Sequence, residues 1–317
     1  MMMLAACAPK VQSFAEISTQ PPKMEENTFQ AEDAAALSSR HWLPKGKPEA
    51  VIIALHGMND YSHAFEGIGK FFRKHHVAVY AYDQRGFGQS PETGIWGGED
   101  NFTHDLKQYV KILQKHYPHT PVYILGESMG GAVAIVALAD PSFPHVQGVI
   151  LSAPAVWGDE TIPVFYRGTL WLAAHTVPYV KLSGSNLRII ASDNYPMLRA
   201  LSTDPLIIKG TRVDAIYGMV HLMDNAYEKI PGIKTPTLLL YGAHDQVIPQ
   251  HPIDKALERF TIPIQYAYYP QGYHMLLRDL QAQLVMRDIL SWIDHPGRKL
   301  PSGVGVRLGS LHPLTTG

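Results

Sequence analysis

The run Gly126-Glu127-Ser128-Met129-Gly130-Gly131 constrains this chain more than any other feature, because of what stands on either side of it. Val122-Tyr123-Ile124-Leu125 precedes it as a short apolar strand, and Gly130 to Ala139 follows as a helix of small residues. A strand that turns straight into a helix brings two backbones together, and glycines beside the turn leave room for them. The spacing Gly-x-Ser-x-Gly then places Ser128 on a strained turn, where a weak nucleophile can be presented to a base. A glycine-rich turn with an ordinary surface serine would match the pentapeptide too, but it would not need this strand and this helix. Glu127 is read as a hydrogen-bonding neighbour or a turn residue, without a catalytic role.

The rest of the chain repeats the pattern. Val51 to Leu55, Val77 to Tyr82, Val146 to Leu151, Thr237 to Tyr241 and Ile264 to Tyr269 are continuous apolar runs, as expected of strands buried on both faces. Helical stretches are expected from His63 to Lys74, Phe102 to His116, Pro252 to Phe260 and Leu276 to Ile293. Thr28 to Trp42 reads as an outer hairpin turning near Ala34 and Ala35. Such alternation predicts an α/β fold, a mostly parallel eight-stranded sheet with helices on both faces. Between 155 and 230 the alternation stops, and Pro163, Pro178, Pro196 and Pro205 interrupt helix-like sequence. The expected organisation is therefore a tether at 1–27, a core formed by 28–154 and 231–295, a helical cap at 155–230 and a flexible tail at 296–317.

A serine elbow on such a sheet is the α/β-hydrolase arrangement, in which the acid and then the histidine follow the serine in the chain. Asp245 lies just after the strand ending at Tyr241, and His274 just after the strand ending at Tyr269, both where ligand chemistry collects in open sheets. His274 would take the proton of Ser128, and Asp245 would fix its tautomer and stabilise the imidazolium. Among 16 histidines, His244 is the nearest rival, but it would need a different acid. His75, His76, His116 and His119 suit helix ends. Asp254 and Asp279 are expected on helices, facing solvent. The developing oxyanion needs fixed N–H donors, worth about 3 kcal/mol each. These are assigned to the backbones of Met129, after the nucleophile, and Met58, in the loop His56-Gly57-Met58-Asn59.

With these elements placed, the sequence resembles the monoacylglycerol lipase and lysophospholipase-like group of α/β-hydrolases over Thr28 to Asp294. The likeness rests on Trp42-Leu43-Pro44, His56-Gly57, Asp83-Gln84-Arg85-Gly86-Phe87-Gly88-Gln89-Ser90, the doubled glycine after Ser128-Met129, Thr203-Asp204-Pro205-Leu206 and Tyr273-His274. The resemblance implies a serine esterase or lipase for mono-acyl lipids, with no cofactor and no metal. A peptidase, thioesterase or acyltransferase could use the same three residues. A silent lipid-binding protein would be expected to have lost one of them, and a dehalogenase would need aspartate in place of Ser128. In the cap, Ile162 to Tyr166 and Leu170 to Ala174 are the most apolar stretches. They are read as an acyl pocket or lid face, against the alternative that they pack on the cap itself. Arg188 and Arg199 are candidates for an anionic headgroup, and Asp159, Glu160 and Asp193 for a free amino terminus.

The remaining inferences concern partners and location. A net charge of -1 and the lack of a basic run give no reason to expect a nucleic-acid partner. Nor does any apolar stretch approach the roughly 20 residues of a spanning helix. The one cysteine, Cys7, ends Leu4-Ala5-Ala6-Cys7, which resembles the lipobox of bacterial lipoproteins. Lipid on Cys7 would hold the enzyme on a membrane at the periplasmic face, with a signal segment upstream of Met1. If the match is fortuitous, the stretch is a plain terminus with a free thiol and the protein is cytoplasmic. The oligomeric state is left open.

Overall fold

A computed structural model describes residues 8–13, 21–157, 164–184 and 189–308. The chain enters through a short antiparallel meander, β1 (Lys23–Met24), β2 (Thr28–Gln30) and β3 (Ala36–Trp42). Ala34, in the left-handed region at φ 64°, turns the β2–β3 hairpin. β4 (Ala50–Leu55) leads through the helix α1 (Glu66–Phe72) to β5 (Val77–Tyr82). Next come α2 (Glu99–His116), β6 (Val122–Glu127), α3 (Met129–Leu138) and β7 (Gly148–Ser152). The intervening segment holds α4 (Val164–Thr176), β8 (Lys181–Leu182), α5 (Tyr195–Thr203), β9 (Thr211–Arg212) and α6 (Val213–Lys229). The sheet resumes with β10 (Thr237–Gly242), α7 (Gln250–Glu258), β11 (Ile264–Tyr269), α8 (Ala282–Asp294) and β12 (Gly305–Leu308).

Among the described residues the main sheet has ten strands rather than eight, in the order β1-β2-β3-β5-β4-β6-β7-β10-β11-β12. The six from β5 to β11 are mutually parallel. Their side chains alternate between two cores. Val51, Ile53 and Leu55 join one core with α2, α3, α6 and α7, while Ile52 and Ala54 join the other with α1 and α8. That double burial is why the strand sequences are continuously apolar.

Several expectations are corrected. β12 pairs antiparallel with β11, so the segment after 296 is not simply a loose tail. Leu300 is buried and the Ser302 N–H donates to Asp288, which turns the chain back to cover an edge that would otherwise stand open. Within the expected tether, Val11 bridges to Trp96, and buried Gln12 donates to the carbonyls of Pro91 and Ile95. The Gly86 N–H also reaches the Pro91 carbonyl, and the Gln12 side chain adds bonds from outside the loop, which pins the terminal segment there. α6, which the sequence assigns to the cap, packs against α3 and buries Leu222 and Ala226 in the core. α8 begins at Ala282 instead of Leu276, because residues 275–281 form successive turns. Cys7 and its lipobox lie outside the described residues.

The crossing of strand and helix at the elbow is measurably tight. A Cβ on Gly130 would stand 2.1 Å from the Leu55 carbonyl oxygen, and one on Gly126 would stand 2.5 Å from the Gly130 oxygen. Gly130→Ala gains about 1 kcal/mol of helix propensity but overpacks α3 on β4, which costs about 3 kcal/mol, so a net loss near 2 kcal/mol is expected. A urea unfolding midpoint equal to that of the unmodified protein would contradict this.

Candidate active site

Ser128 joins β6 to α3 with φ 52° and ψ −114°. A serine there costs on the order of 1–3 kcal/mol of backbone strain, so the surroundings must hold it. They do so through hydrogen bonds on both sides. The Ser128 N–H donates to Ser152, and its carbonyl accepts from Gly131, Ala132 and Ala155. The Ser128 residue is 8% exposed, so the turn is covered but the hydroxyl remains reachable.

Asp245 and His274 are brought together. His274 Nδ1 lies 2.8 Å from Asp245 Oδ2, while Asp245 Oδ1 accepts the N–H groups of Val247 and Ile248 at 2.8 and 2.9 Å. An ionised carboxylate only accepts, so Nδ1 must carry the hydrogen and Nε2 is left as the base. Both side chains are deeply buried. The rival His244 is exposed and lies against the Tyr273 ring, away from any acid shown to hold it.

Met58 and Met129, expected to supply the oxyanion N–H groups, lie on two different elements near the serine turn. Met129 opens α3 and is fully buried; Met58 is half-buried in the loop after β4. Among the described residues neither backbone N–H is engaged by another group of the protein. Gly57, beside Met58, lies against the nucleophile: a Cβ there would sit 3.3 Å from Ser128 Cβ. The loop is shaped by Asn59 in the left-handed region at φ 67°, whose amide donates to Thr211. It is also fixed by His56, whose Nδ1 meets the Gly57 carbonyl while Nε2 accepts the Gln84 N–H. Burial lowers the His56 pKa, and with an N–H aimed at Nε2 the ring is neutral and structural.

Arg278 and Asp60 carry no sequence signal, and Glu127 is marked only by its place beside Ser128. Arg278, four residues after His274, places Nη2 2.6 Å from Glu127 Oε1 and Nη1 2.7 Å from Asp60 Oδ2. Glu127 precedes Ser128, and Asp60 follows Met58 by two positions, so one guanidinium joins the loops that carry Ser128, Met58 and His274. Asp279 is buried, not solvent-facing; it accepts from Ser192 Oγ and the Tyr273 N–H. Burial pushes its carboxyl up to about 6 against those two hydrogen bonds. Asp254 is half-buried on α7. A cleft of about 250 Å³ runs beside the loop, lined by Asp60, Tyr61, Met197, Leu201, Asp204 and Arg278 among others.

The cap's return segment is sewn to these loops. Ile190 N–H donates to Gln246, Met275 N–H to Ala191, Leu280 N–H to Asp193, and the Asn194 amide to the Arg278 carbonyl. Farther out, α4 leaves Phe165, Tyr166, Trp171 and Leu172 more than half exposed. These four side chains are thus not packed away, whereas Ala174 on the opposite side of the helix is buried where α4 packs on α6. Arg199 lies exposed on α5, and Arg188 falls outside the described residues. No group of three or more His, Cys, Asp or Glu among the described residues is disposed to hold a metal ion.

Comparison with known proteins agrees with this architecture. The sequence profile of the family described as serine aminopeptidase, S33, matches residues 46–281. The chain is similar to the monoglyceride lipase of Rattus norvegicus, 29% identical over 271 residues that span 83% of this chain and 88% of the rat protein. It is also similar to the monoacylglycerol lipase of Mycolicibacterium smegmatis, at 23% identity over 80% and 90% of the two chains. Among solved structures, a soluble variant of monoglyceride lipase from Saccharomyces cerevisiae in complex with a substrate analogue matches with a TM-score of 0.71. It is 18% identical, and the match spans 88% of this chain and 97% of the yeast chain. That likeness speaks to the fold.

Proposed function

The chain belongs to the serine aminopeptidase, S33, family of α/β-hydrolases and is a carboxylic ester hydrolase; from that premise we propose that it cleaves monoacylglycerols or lysophospholipid-like esters through an acyl-enzyme on Ser128. The observation that carries the reading is the Asp245–His274 pair at 2.8 Å, on the same sheet edge as the strained serine turn. Ser128 Oγ attacks the ester carbonyl as His274 Nε2 takes its proton. The oxyanion is met by the N–H groups of Met58 and Met129. The alcohol leaves with the proton from His274, and water repeats the sequence to free the acid.

A mono-acyl lipid is favoured by the similarity to monoglyceride lipases and by the exposed face of α4. Phe165 and Trp171, 78% and 52% exposed, would enter the outer layer of a membrane and bring the entrance to its substrate. Lipid on Cys7 would act in the same direction. A peptidase reading free amino termini has less to recommend it: Asp193 already accepts the Leu280 N–H through one oxygen, and Asp159 and Glu160 lie outside the described residues.

The test is a panel of monoacylglycerols, lysophospholipids, p-nitrophenyl esters and aminoacyl-peptides, each run with and without phosphatidylcholine vesicles. Monoacylglycerol should be the best class. Burying a Phe or Trp side chain is worth about 2 kcal/mol, so losing both in Phe165→Ser with Trp171→Ser removes up to about 4 kcal/mol and should lower vesicle-borne turnover at least tenfold more than turnover of a soluble ester. Preference for peptides over every lipid ester would overturn the substrate assignment. Equal losses in both assays would overturn the role of α4.

A further inference from the structure

A buried cation lies between two carboxylates that belong to opposite walls of the site. Arg278, Glu127 and Asp60 have side chains only 10%, 3% and 9% exposed, and the two ion-pair distances are 2.6 and 2.7 Å. Burying three charges is expensive, and replacing such groups with apolar ones is often neutral or stabilising, so their presence asks for a reason beyond stability. Their positions supply one. Glu127 ends β6 immediately before Ser128, so a pull on its side chain is a pull on the turn that sets the Met129 N–H. Asp60 closes the turn after β4, where its N–H donates to the Gly57 carbonyl and its Oδ1 accepts the Tyr61 N–H. It therefore fixes the backbone that carries the Met58 N–H. Arg278 itself is held by its own backbone, through its N–H to Met275 and its carbonyl from Asn194.

We propose that Arg278 is a positioning residue for ester hydrolysis, setting the spacing of the Met58 and Met129 N–H donors across Ser128 and balancing the two carboxylates beside the forming oxyanion. The proposal rests on the assignment of Ser128, Met58 and Met129 given above. Its charge logic is simple. With the guanidinium present the cluster carries a net single negative charge; without it, two buried carboxylates face a site where a third negative charge must develop. Other ionisable groups crowd the same volume: His56 from the oxyanion loop, Asp83 after β5 and Asp279 from the histidine loop. His56 is neutral, and Asp83 is already engaged by the Ser62 and Gln89 N–H groups. Glu127 and Asp60 are therefore the groups that lose their partner when Arg278 is removed.

The experiment measures kcat and KM on a soluble p-nitrophenyl ester across pH for the full chain and for Arg278→Met, Arg278→Lys and Arg278→Met/Glu127→Gln, with thermal melting alongside. Loss of donor alignment costs about 100-fold in kcat, so Arg278→Met should fall by that order with KM changed less than about threefold. Arg278→Met/Glu127→Gln should recover roughly tenfold, since one of the two unpaired carboxylates, the one next to Ser128, is gone. A residue that served only to hold the fold would give no recovery on losing a second partner. Arg278→Met within threefold of the original kcat, or no recovery in the double variant, overturns the proposal. If Arg278→Met does not fold, Arg278→Lys decides. Lysine keeps the charge but not the fork, so a roughly tenfold loss in kcat at unchanged KM supports the proposal, and full activity overturns it. Failure of the functional reading looks different: the unmodified protein would itself turn over no ester.

Discussion

Ser128→Ala is expected to lower kcat for ester hydrolysis about 10⁶-fold, the scale on which removal of a triad nucleophile acts. The variant keeps the oxyanion donors, and it keeps the His274–Asp245 pair, which does not depend on the serine side chain. What it loses is the covalent intermediate. A fluorophosphonate should add its mass to the unmodified protein at Ser128 and leave the variant unlabelled. The fold should be untouched, because the strained turn is held by backbone hydrogen bonds to Ser152, Gly131, Ala132 and Ala155. Turnover of the variant at a tenth of the original rate, or labelling at another residue, would remove Ser128 from the mechanism.

The second large effect separates charge from geometry. Asp245→Asn preserves shape, and the new side-chain oxygen can still accept from Val247 and Ile248. Its amide would then point N–H at His274 Nδ1, forcing that nitrogen to accept and placing the ring hydrogen on Nε2. In that tautomer His274 cannot receive the serine proton, and kcat should fall about 10⁴-fold with KM little changed. Asp245→Ala should be less informative, because it also frees two N–H groups that shape the loop. An Asp245→Asn variant retaining more than a tenth of the original kcat would show that another acid orients the histidine.

Much of this was legible in the sequence, for identifiable reasons. Val51 to Leu55 and Val77 to Tyr82 are apolar at every position because alternate side chains enter different cores. Gly126 and Gly130 announce a backbone approach that no Cβ can share. Asp245 and His274 follow strands whose ends must lie on one edge of a parallel sheet. What could not be read depended on tertiary neighbours. Leu222 and Ala226 have the same helical spacing whether α6 covers a cap or the core; only contact with α3 decides. Asp60, Glu127 and Arg278 are separated by long stretches of chain and have no periodicity to link them, and Arg278 and Asp279 resemble an ordinary polar helix turn. The short segment from Gly305 to Leu308 becomes a strand because β11 offers it an edge, not because its own sequence demands one.

The seam from Ile190 to Asn194 has a consequence for how such an enzyme can diversify. It is stitched to the loops carrying Asp245, His274 and Arg278 by at least five hydrogen bonds. Among the described residues, α4 packs on α6 and buries Ala174, but it leaves an outer face with Phe165 and Trp171 exposed beyond this seam. That outer face can be made more or less apolar while the loops carrying Asp245, His274 and Arg278 keep their registration, because the stitching belongs to those loops and not to the face being traded. Selection for a new acyl chain or a new surface therefore has a socket to work in, bounded on its inner side by Ser192, Asp193 and Asn194, whose side chains make three of the stitches, while Ile190 and Ala191 lend only backbone groups.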